Sequence, residues 1–412
     1  MQLIYNIGLL ATPTGDHAKA GQRQGEITML RNAWITLDDA GKILQIGTGT
    51  PPQAEETLDA KGQLVTPGLV DAHTHLVFGG WRAHELMQKL QGVPYLEILA
   101  AGGGILSTVR ATRSASRQEL KDKARLALEE MLSFGTTTCE CKSGYGLDME
   151  TELEQLRAVK ELDQEQPVEL VSTFLGAHAL PEEYKQDRQG YLDLLKGQVI
   201  PGVAEENLAQ FCDVFCETGV FTAQEAEEIL RCGQEHGLGA KIHADEIHAI
   251  GGSQVAGKLR AVSAEHLIAA EEKEIAALAE GGTVAVLLPA TSFYLDKPFA
   301  RARDMVNAGV PVAVATDFNP GSCPSLNLQL AMNLACYKYR LRPEEVLTAV
   351  TLNAAAAIGK SNTLGTLEPG KQADILIWNA PDLDYVFYRF GSNLVNTVIK
   401  KGKTVFRQGE SL

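Results

Sequence analysis

Eight short apolar segments alternate with helical segments along most of the chain, and this alternation restricts the fold more than any other feature. Helices are predicted between most of the strands, the clearest at 118–134, 150–162, 222–236 and 299–307. Eight such units match a (β/α)8 TIM-like barrel of the α/β class in number and length. A doubly wound open sheet is the alternative, but no Gly-x-Gly-x-x-Gly follows a predicted strand. The predicted strands are 64–71, 136–141, 168–176, 211–216, 239–243, 261–265, 283–288 and 311–316.

Shorter strands without long helices are predicted at both ends of the chain. Near the N-terminus they cover 3–10, 27–37 and 43–46, and near the C-terminus 373–378 and 395–405. We therefore expect a small β-sandwich domain assembled from both terminal segments. The predicted division assigns 1–64 and 361–412 to the β-sandwich and 65–360 to the barrel.

The end of the first barrel strand carries two histidines, His73 and His75, with one residue between them. Side chains alternate between the two faces of a strand, so residues i and i+2 point the same way. Both imidazoles can therefore face one point, which suits metal binding, because neutral imidazole binds Zn, Fe, Ni and Cu well. Two polar residues at a strand end are the alternative for this pair taken alone.

Further polar side chains fall at the ends of other predicted strands. His178 follows the third strand, His243 ends the fifth, His266 the sixth and Asp317 the eighth. The C-terminal ends of barrel strands converge on one active site, so we expect these side chains to lie together. Five of the nine histidines lie at strand ends, which packing explains poorly. The other four are expected in solvated loops or helices, namely His17, His84, His236 and His248.

The composition of the chain restricts its possible partners and its cellular compartment. Lys+Arg 37 against Asp+Glu 52 gives a net charge of −15, which argues against nucleic acid and acidic membranes as partners. No apolar run reaches the roughly 18 residues of a membrane span, and the N-terminus lacks a basic signal-peptide region. Seven cysteines, an odd number, suit free thiols in a reducing compartment. These features predict a cytoplasmic protein.

The pattern of strand-end residues resembles the amidohydrolase superfamily of metal-dependent hydrolases. The stretch 365–374 is similar to the superfamily's return into its β-sandwich. The resemblance implies that His73, His75, His243 and Asp317 bind a metal ion. Many relatives hold two metals with a carboxylated lysine on strand four, but 211–217 contains no lysine, so one ion per subunit is expected. This ligand set serves zinc (Zn2+) and iron (Fe3+) alike.

Longer motifs resemble the imidazolonepropionase family in particular. They cover 73–82, 101–113, 142–147, 176–178 and 316–322. The resemblance implies that Arg82, Tyr145, His178 and Ser322 bind the substrate, that Glu246 touches its ring, and that Asn319 and Gly321 contact the opened product. It also suggests a homodimer.

The implied reaction is the hydrolysis of the ring C–N bond of 4-imidazolone-5-propanoate to N-formimidoyl-L-glutamate in histidine degradation. Glu246, His266 and Asp317 are the expected catalytic residues, and which of them is the general base is left open. The substrate carries a propionate, which a chain with a negative net charge repels unless a local cation binds it. Arg82 can supply that cation and form a bidentate contact with the carboxylate.

Two other functional classes compete with this hypothesis. A heterocycle deaminase of the cytosine or guanine type shares the single-metal frame, and the spacing of His243 and Glu246 fits it equally well. The set Arg82, Tyr145 and Asn319 favours a carboxylate-bearing substrate instead. A non-catalytic relative is disfavoured because all four metal ligands are present.

Several other features are expected to have ordinary structural roles. Cys139, Cys141, Cys212 and Cys216 are predicted to be buried thiols, because their spacing does not suit a zinc knuckle. Glycines 102–104 are expected to form a mobile loop able to close over the site. Glu152, Glu154 and the run 271–274 are expected on solvated helix faces.

Overall fold

The computed structural model describes residues 1–93, 97 and 102–410. Its strands, in chain order, are β1 (Gln2–Thr12), β2 (Thr28–Leu37), β3 (Ile43–Thr48), β4 (Glu56–Asp59), β5 (Leu64–Pro67), β6 (Leu69–Asp71), β7 (Thr136–Lys142), β8 (Glu169–Ala177), β9 (Phe211–Cys216), β10 (Gly239–Ala244), β11 (Ser263–His266), β12 (Val284–Leu287), β13 (Val312–Val314), β14 (Ile375–Trp378), β15 (Val395–Lys400) and β16 (Lys403–Arg407). Its α-helices are Leu86–Leu90, Gly104–Ser114, Arg117–Ser133, Met149–Glu165, Arg188–Leu194, Ile200–Glu205, Ala223–Glu235, Gly252–Leu259, Glu272–Gly281, Pro289–Tyr294, Ala302–Asn307, Leu328–Tyr339, Pro343–Ala349, Leu352–Ala357 and Leu383–Tyr388.

Strands β6 to β13 form a parallel sheet in which each strand pairs with the next along the chain. Backbone hydrogen bonds bring the two ends of this sheet together just beyond β6 and β13. The amide of Asp317 donates to the carbonyl of His73 at 3.0 Å, and the amide of His75 donates to the carbonyl of Phe318 at 2.8 Å. The predicted (β/α)8 barrel is therefore confirmed.

The first barrel strand is shorter than the predicted segment 64–71. Residues Leu64–Pro67 belong to the terminal sheet, and only Leu69–Asp71 pairs with β7 in the barrel. Gly68 lies between them, where a Cβ atom would meet the Thr137 hydroxyl at 2.4 Å. A continuous apolar run does not reveal this division, because both halves are buried.

The terminal segments form one mixed sheet in the order β16-β15-β14-β5-β1-β2-β3, with β4 beside β1. Strand β14 pairs with β15 on one side and with β5 on the other, so segments from both ends of the chain interleave. The sheet has its own apolar core, which includes Ile4, Ile35, Ile375 and Ile399. The predicted β-sandwich domain from both termini is confirmed as a fold, and its boundaries at 64 and 361 stay a prediction.

The interior of the barrel changes character along the strands. Near the strand starts it is apolar, with Val70, Val171 and Val284 packed against alanines of the helix Leu352–Ala357. Towards the strand ends the inward side chains are histidines and charged residues. Because side chains alternate between the two faces of a strand, every second residue points into the barrel, and those nearest the strand ends form this polar layer.

The predicted helices are found within a few residues of their expected limits. Arg117–Ser133 and Ala223–Glu235 each begin with a capping box, formed by Ser116 with Glu119 and by Thr222 with Glu225. None of the helices described by the structure combines the length and the apolar character that crossing a bilayer demands.

Candidate metal centre and active site

Three buried imidazoles meet at the polar end of the barrel. Nitrogen atoms of His73, His75 and His243 all lie within 4.8 Å of one another. Asp317 joins them, with Oδ1 at 3.4 Å from Nε2 of His73 and 3.6 Å from Nε2 of His75. The first, fifth and eighth barrel strands thus bring together the four residues that were predicted from the resemblance to be metal ligands.

The chemistry of these four residues fits a metal ion. Both ring nitrogens of His73 and Nε2 of His243 are buried and have no hydrogen-bond partner among the described residues, while Nδ1 of His243 faces Oδ2 of Asp213 at 3.0 Å. Burial holds the pKa of each of the three imidazoles well below its ordinary value, so the rings are neutral and their lone pairs are available. Three imidazoles and one carboxylate are a donor set that suits Zn2+ and other first-row metals.

His266 and Glu246 lie beside this cluster. Nε2 of His266 is 3.8 Å from Oε2 of Glu246, and the His266 ring centroid is 5.2 Å from that of His243. Burial, followed by the negative charge of Glu217, raises the pKa of Glu246 to about 7. Glu246 is therefore poised to exchange a proton near neutral pH.

The strand ends that carry His266 and Asp317 adopt left-handed backbone conformations, with φ of 70° and 56°. Residues other than glycine adopt such angles rarely, and they recur at functional sites. Asp317 is further fixed by the Thr291 hydroxyl, which donates to its Oδ2 at 2.7 Å. The backbone thus sets the direction of both side chains, and the Thr291 hydroxyl also fixes that of Asp317.

His178 and Tyr145 form a second side of the site. The His178 ring stacks on His75 with centroids 5.0 Å apart, and the Tyr145 ring lies 5.3 Å from His178. Nδ1 of His178 donates to the carbonyl of Gly144 at 3.0 Å. Burial lowers the pKa of His178 to about 3, so the ring is neutral at physiological pH.

Arg82 lies directly over the backbone of Gly321. A Cβ atom at Gly321 would be 1.2 Å from Nη2 of Arg82, so only glycine leaves room for the guanidinium. Nε of Arg82 is buried and has no hydrogen-bond partner among the described residues. The side chain of Asn319 organises the same loop, because its Oδ1 accepts the amides of Gly321 at 2.8 Å and Ser322 at 2.7 Å.

A network of five buried charges below the histidines was not predicted from the sequence. Nζ of Lys142 lies 2.8 Å from Asp213, 3.1 Å from Glu140 and 3.4 Å from Glu265. Nζ of Lys241 lies 2.6 Å from Glu140 and 3.4 Å from Glu265. The available signal was the presence of charged residues at alternate positions in otherwise apolar strands, as in Glu140 and Lys142.

Buried carboxylates also hold the loops that carry Tyr145 and Glu246. Glu152 accepts the amides of Gly144, Gly146 and Leu147 at 2.8–3.0 Å. Glu217 accepts the amide of Ile247 at 2.8 Å and that of His248 at 3.1 Å.

The expectation that Glu152 is solvated is wrong, and so is that for Glu274, which is fully buried. Each lies on the inner face of its helix, and Glu274 caps its own helix through the amide of Glu271 at 3.2 Å. Glu154 is partly exposed and pairs with Arg117 at 2.7 Å.

Other ordinary structural roles are confirmed. The four cysteines of β7 and β9 are buried free thiols. The glycine loop is described only at Gly102 to Gly104, where Gly104 begins a helix and donates its amide to Glu85 at 2.7 Å. The predictions that this glycine loop is mobile and that it closes over the site both stay predictions.

The model of the amidohydrolase family matches residues 64–405. An imidazolonepropionase of Alkaliphilus metalliredigens is 47% identical over 99% of this chain and 98% of its own length. An imidazolonepropionase of Bacillus velezensis is 50% identical over 100% of this chain and 98% of its own length.

Solved structures share the fold at lower identity. An adenosine deaminase from Xanthomonas campestris with bound zinc has a TM-score of 0.72 at 20% identity, covering 99% of this chain and 93% of its own. A 5-methylcytosine deaminase from Klebsiella pneumoniae has a TM-score of 0.74 at 18% identity, covering 100% and 99%. At this identity the likeness concerns the architecture of barrel and terminal sheet.

Proposed function

The chain belongs to the amidohydrolase family and, within it, to the imidazolonepropionases, and we propose that the residues at the polar end of its barrel carry out that reaction. The enzyme hydrolyses a C–N bond of a cyclic amide, that of 4-imidazolone-5-propanoate, to give N-formimidoyl-L-glutamate. The observation that carries the residue assignment is the convergence of Arg82, Glu246 and the histidine cluster on one end of the barrel.

His73, His75, His243 and Asp317 would hold one metal ion, either Zn2+ or Fe3+. The neutral imidazoles of the three histidines, with both nitrogens of His73 and Nε2 of His243 unpartnered among the described residues, support this assignment. A metal bound there supplies Lewis acidity that activates water for attack on a carbonyl carbon. The chain's own contribution is to fix four ligands on three rigid strand ends and to bury them away from solvent.

Arg82 binds the propionate carboxylate of the substrate. Its guanidinium has a free Nε, and its planar fork matches a carboxylate. The ring of the substrate then lies between Arg82 and the histidine cluster, against Tyr145 and His178. Asn319, Gly321 and Ser322 form the loop under Arg82 and contact the carboxylates of the opened product through their backbone and hydroxyl groups.

Glu246 and His266 move the protons. As water oxygen bonds to the ring carbonyl carbon, Glu246 accepts the water proton and passes it to the ring nitrogen when the C–N bond breaks. A pKa of about 7 lets Glu246 do both near neutrality. His266, 3.8 Å away, orients the water, and Asp317 is the second candidate for the base.

A direct assay tests this function against the deaminase alternative. The metal-loaded protein is incubated with 4-imidazolone-5-propanoate and, separately, with cytosine and guanine. We expect N-formimidoyl-L-glutamate to form in step with substrate loss and no ammonia from the nucleobases. Ammonia release from either base without turnover of the imidazolone would overturn the proposal.

We further propose a cytoplasmic homodimer that acts on a small molecule and binds neither nucleic acid nor membranes. The net charge of −15 and the seven free thiols support this setting. Size-exclusion chromatography with light scattering tests the dimer. Metal analysis of protein grown with both zinc and iron tests the identity of the ion.

A further inference from the structure

Glu217 follows β9 and lies beside the loop that carries Glu246. Only 2% of its surface is exposed. Its Oε2 accepts the amides of Ile247 and His248, and its Oε1 accepts the amide of Thr218 at 2.7 Å and lies 3.0 Å from Nδ1 of His248. One buried carboxylate therefore accepts hydrogen bonds from the backbone amides of the two residues that follow Glu246.

These bonds fix the part of the loop that follows Glu246, whereas the part before it is held through Asp245, whose carbonyl accepts the amide of Ala269 at 2.7 Å. Asp245 adopts a left-handed φ of 51°, so the chain turns sharply as it leaves β10. Its carboxylate is held by the Ser253 hydroxyl, on the other side of the loop. Without Glu217 the amides of Ile247 and His248 would lose their hydrogen-bond acceptor, and this part of the loop would lose the bonds that hold it.

The groups that face Glu246 come from several elements. His266 at the end of β11 is 3.8 Å away, Glu217 approaches from the end of β9, and Asp317 beyond β13 is near enough to feel the charge of Glu246. The side chain of His248, in the same loop, contacts Glu217, with Nδ1 3.0 Å from Oε1. Glu217 thus influences Glu246 both through the backbone and through a negative charge.

We propose that Glu217 is a positioning residue, which fixes the Glu246 carboxylate against His266 by binding the two backbone amides that follow it. The inference rests on the proposed role of Glu246 in the hydrolysis. The arrangement parallels that of Glu152, which binds three amides of the loop that carries Tyr145. Each of the two loops is thereby held by a carboxylate from a neighbouring element.

Two substitutions of Glu217 distinguish the effect of its hydrogen bonds to the backbone amides from the effect of its negative charge. Glu217→Ala removes both, whereas Glu217→Gln keeps a side-chain oxygen that can accept the amides and removes only the charge. Glu228→Gln is the matched control, because Glu228 lies on the following helix, is 44% exposed and pairs with Lys196 at 2.9 Å. All four proteins, including the wild type, are compared as metal-loaded full chains.

For Glu217→Ala we expect kcat to fall about 100-fold with little change in KM, because misplacing a catalytic group by about 1 Å has this effect. Glu217→Gln should keep kcat within about threefold of the wild-type value at pH 8. The acid limb of its pH–activity profile should move to lower pH, because Glu246 loses a negatively charged neighbour. Amide exchange of 245–250 should be faster in Glu217→Ala and protected in Glu217→Gln.

The inference is overturned if Glu217→Ala leaves both kcat and the exchange of this segment as in the wild type, or if Glu217→Gln loses as much activity as Glu217→Ala. Should Glu217→Ala fail to fold, loss of amide protection at 245–250 in Glu217→Gln, which keeps the acceptor oxygen, overturns it. Amide exchange needs no turnover, so it tests Glu217 separately. Full activity of Glu246→Gln would instead overturn the proposed function.

Discussion

Oδ2 of Asp213 lies 3.0 Å from Nδ1 of His243 and 2.8 Å from Nζ of Lys142. The carboxylate thus stands between a candidate metal ligand and a buried ammonium. With Nδ1 facing Asp213, Nε2 is the nitrogen of His243 that remains for a metal. Carboxylates in this position fix the orientation and tautomer of metal-bound histidines.

Loss of the Asp213 carboxylate should weaken metal binding. We expect Asp213→Ala to lower metal affinity about 10- to 100-fold, the range typical of such partners. Competition with chelators of graded strength measures this. Asp193→Ala, on an exposed helix face, is the control and should bind metal like the wild type. Equal affinity of all three proteins would contradict this role.

Gly321→Ala should impair substrate binding. The added methyl group would lie 1.2 Å from the Arg82 guanidinium and displace it. We expect KM for the imidazolone to rise about tenfold or more, with a smaller change in kcat, because the contact proposed for Arg82 is with the propionate and not with the ring bond that breaks. Gly197→Ala, which has no heavy atom within 4 Å of the new Cβ, should leave KM unchanged. A wild-type KM in Gly321→Ala would show that Arg82 does not bind the propionate.

The activity should rise with pH through about 7. The pKa of Glu246 is raised to about 7, and a base must be ionised, so kcat falls as pH drops below that value. A carboxyl whose pKa is higher in the folded state favours folding at low pH, and this stabilisation is lost as pH rises through the folded-state pKa. Glu246→Gln should therefore lose turnover at least about 100-fold and unfold at a higher temperature than the wild type at pH 8. If the acid limb of the profile of kcat against pH were centred below pH 5, this would be inconsistent with Glu246 as the base.

Lys142→Met should destabilise the fold. Burial lowers the pKa of Lys142, but the charges of Asp213, Glu140 and Glu265 outweigh that effect and raise it. Removing one partner from such a buried group leaves uncompensated charge, which costs about 3–5 kcal/mol. Denaturant unfolding measures the change. Lys185→Met, which breaks an exposed pair with Glu182, should cost less than about 1 kcal/mol. Equal effects of both substitutions would contradict the prediction.

Removal of the metal should abolish turnover and lower the unfolding temperature, because an ion that binds only the folded state stabilises it. Dialysis against a chelator, followed by stepwise return of Zn2+ or Fe3+, measures both effects on one sample. Recovery of activity at one ion per chain would fit the single-metal site. Turnover that survives complete metal removal would refute the mechanism.

The sequence was sufficient for the barrel and for the members of the metal cluster. Strand and helix periodicities are local, so they survive in a single sequence, and parallel strands in a barrel converge at one end whatever the details. The resemblance added the predicted substrate-binding residues by matching positions such as Arg82. The strand split at Gly68 was missed, because burial on both sides of the glycine produces one apolar run.

Other features depend on which strands become neighbours. The contacts of Lys142 with Asp213 and Glu265 join residues 71 and 123 positions apart. Nothing in the local pattern of either strand distinguishes a buried charge with a partner from a solvated one, as Glu152 illustrates. The sequence alone therefore determined the fold class, the reaction family and the candidate ligands. Only the tertiary structure decided that Glu217 holds the Glu246 loop and that Gly321 makes room for Arg82, because those contacts exist only once the barrel has closed.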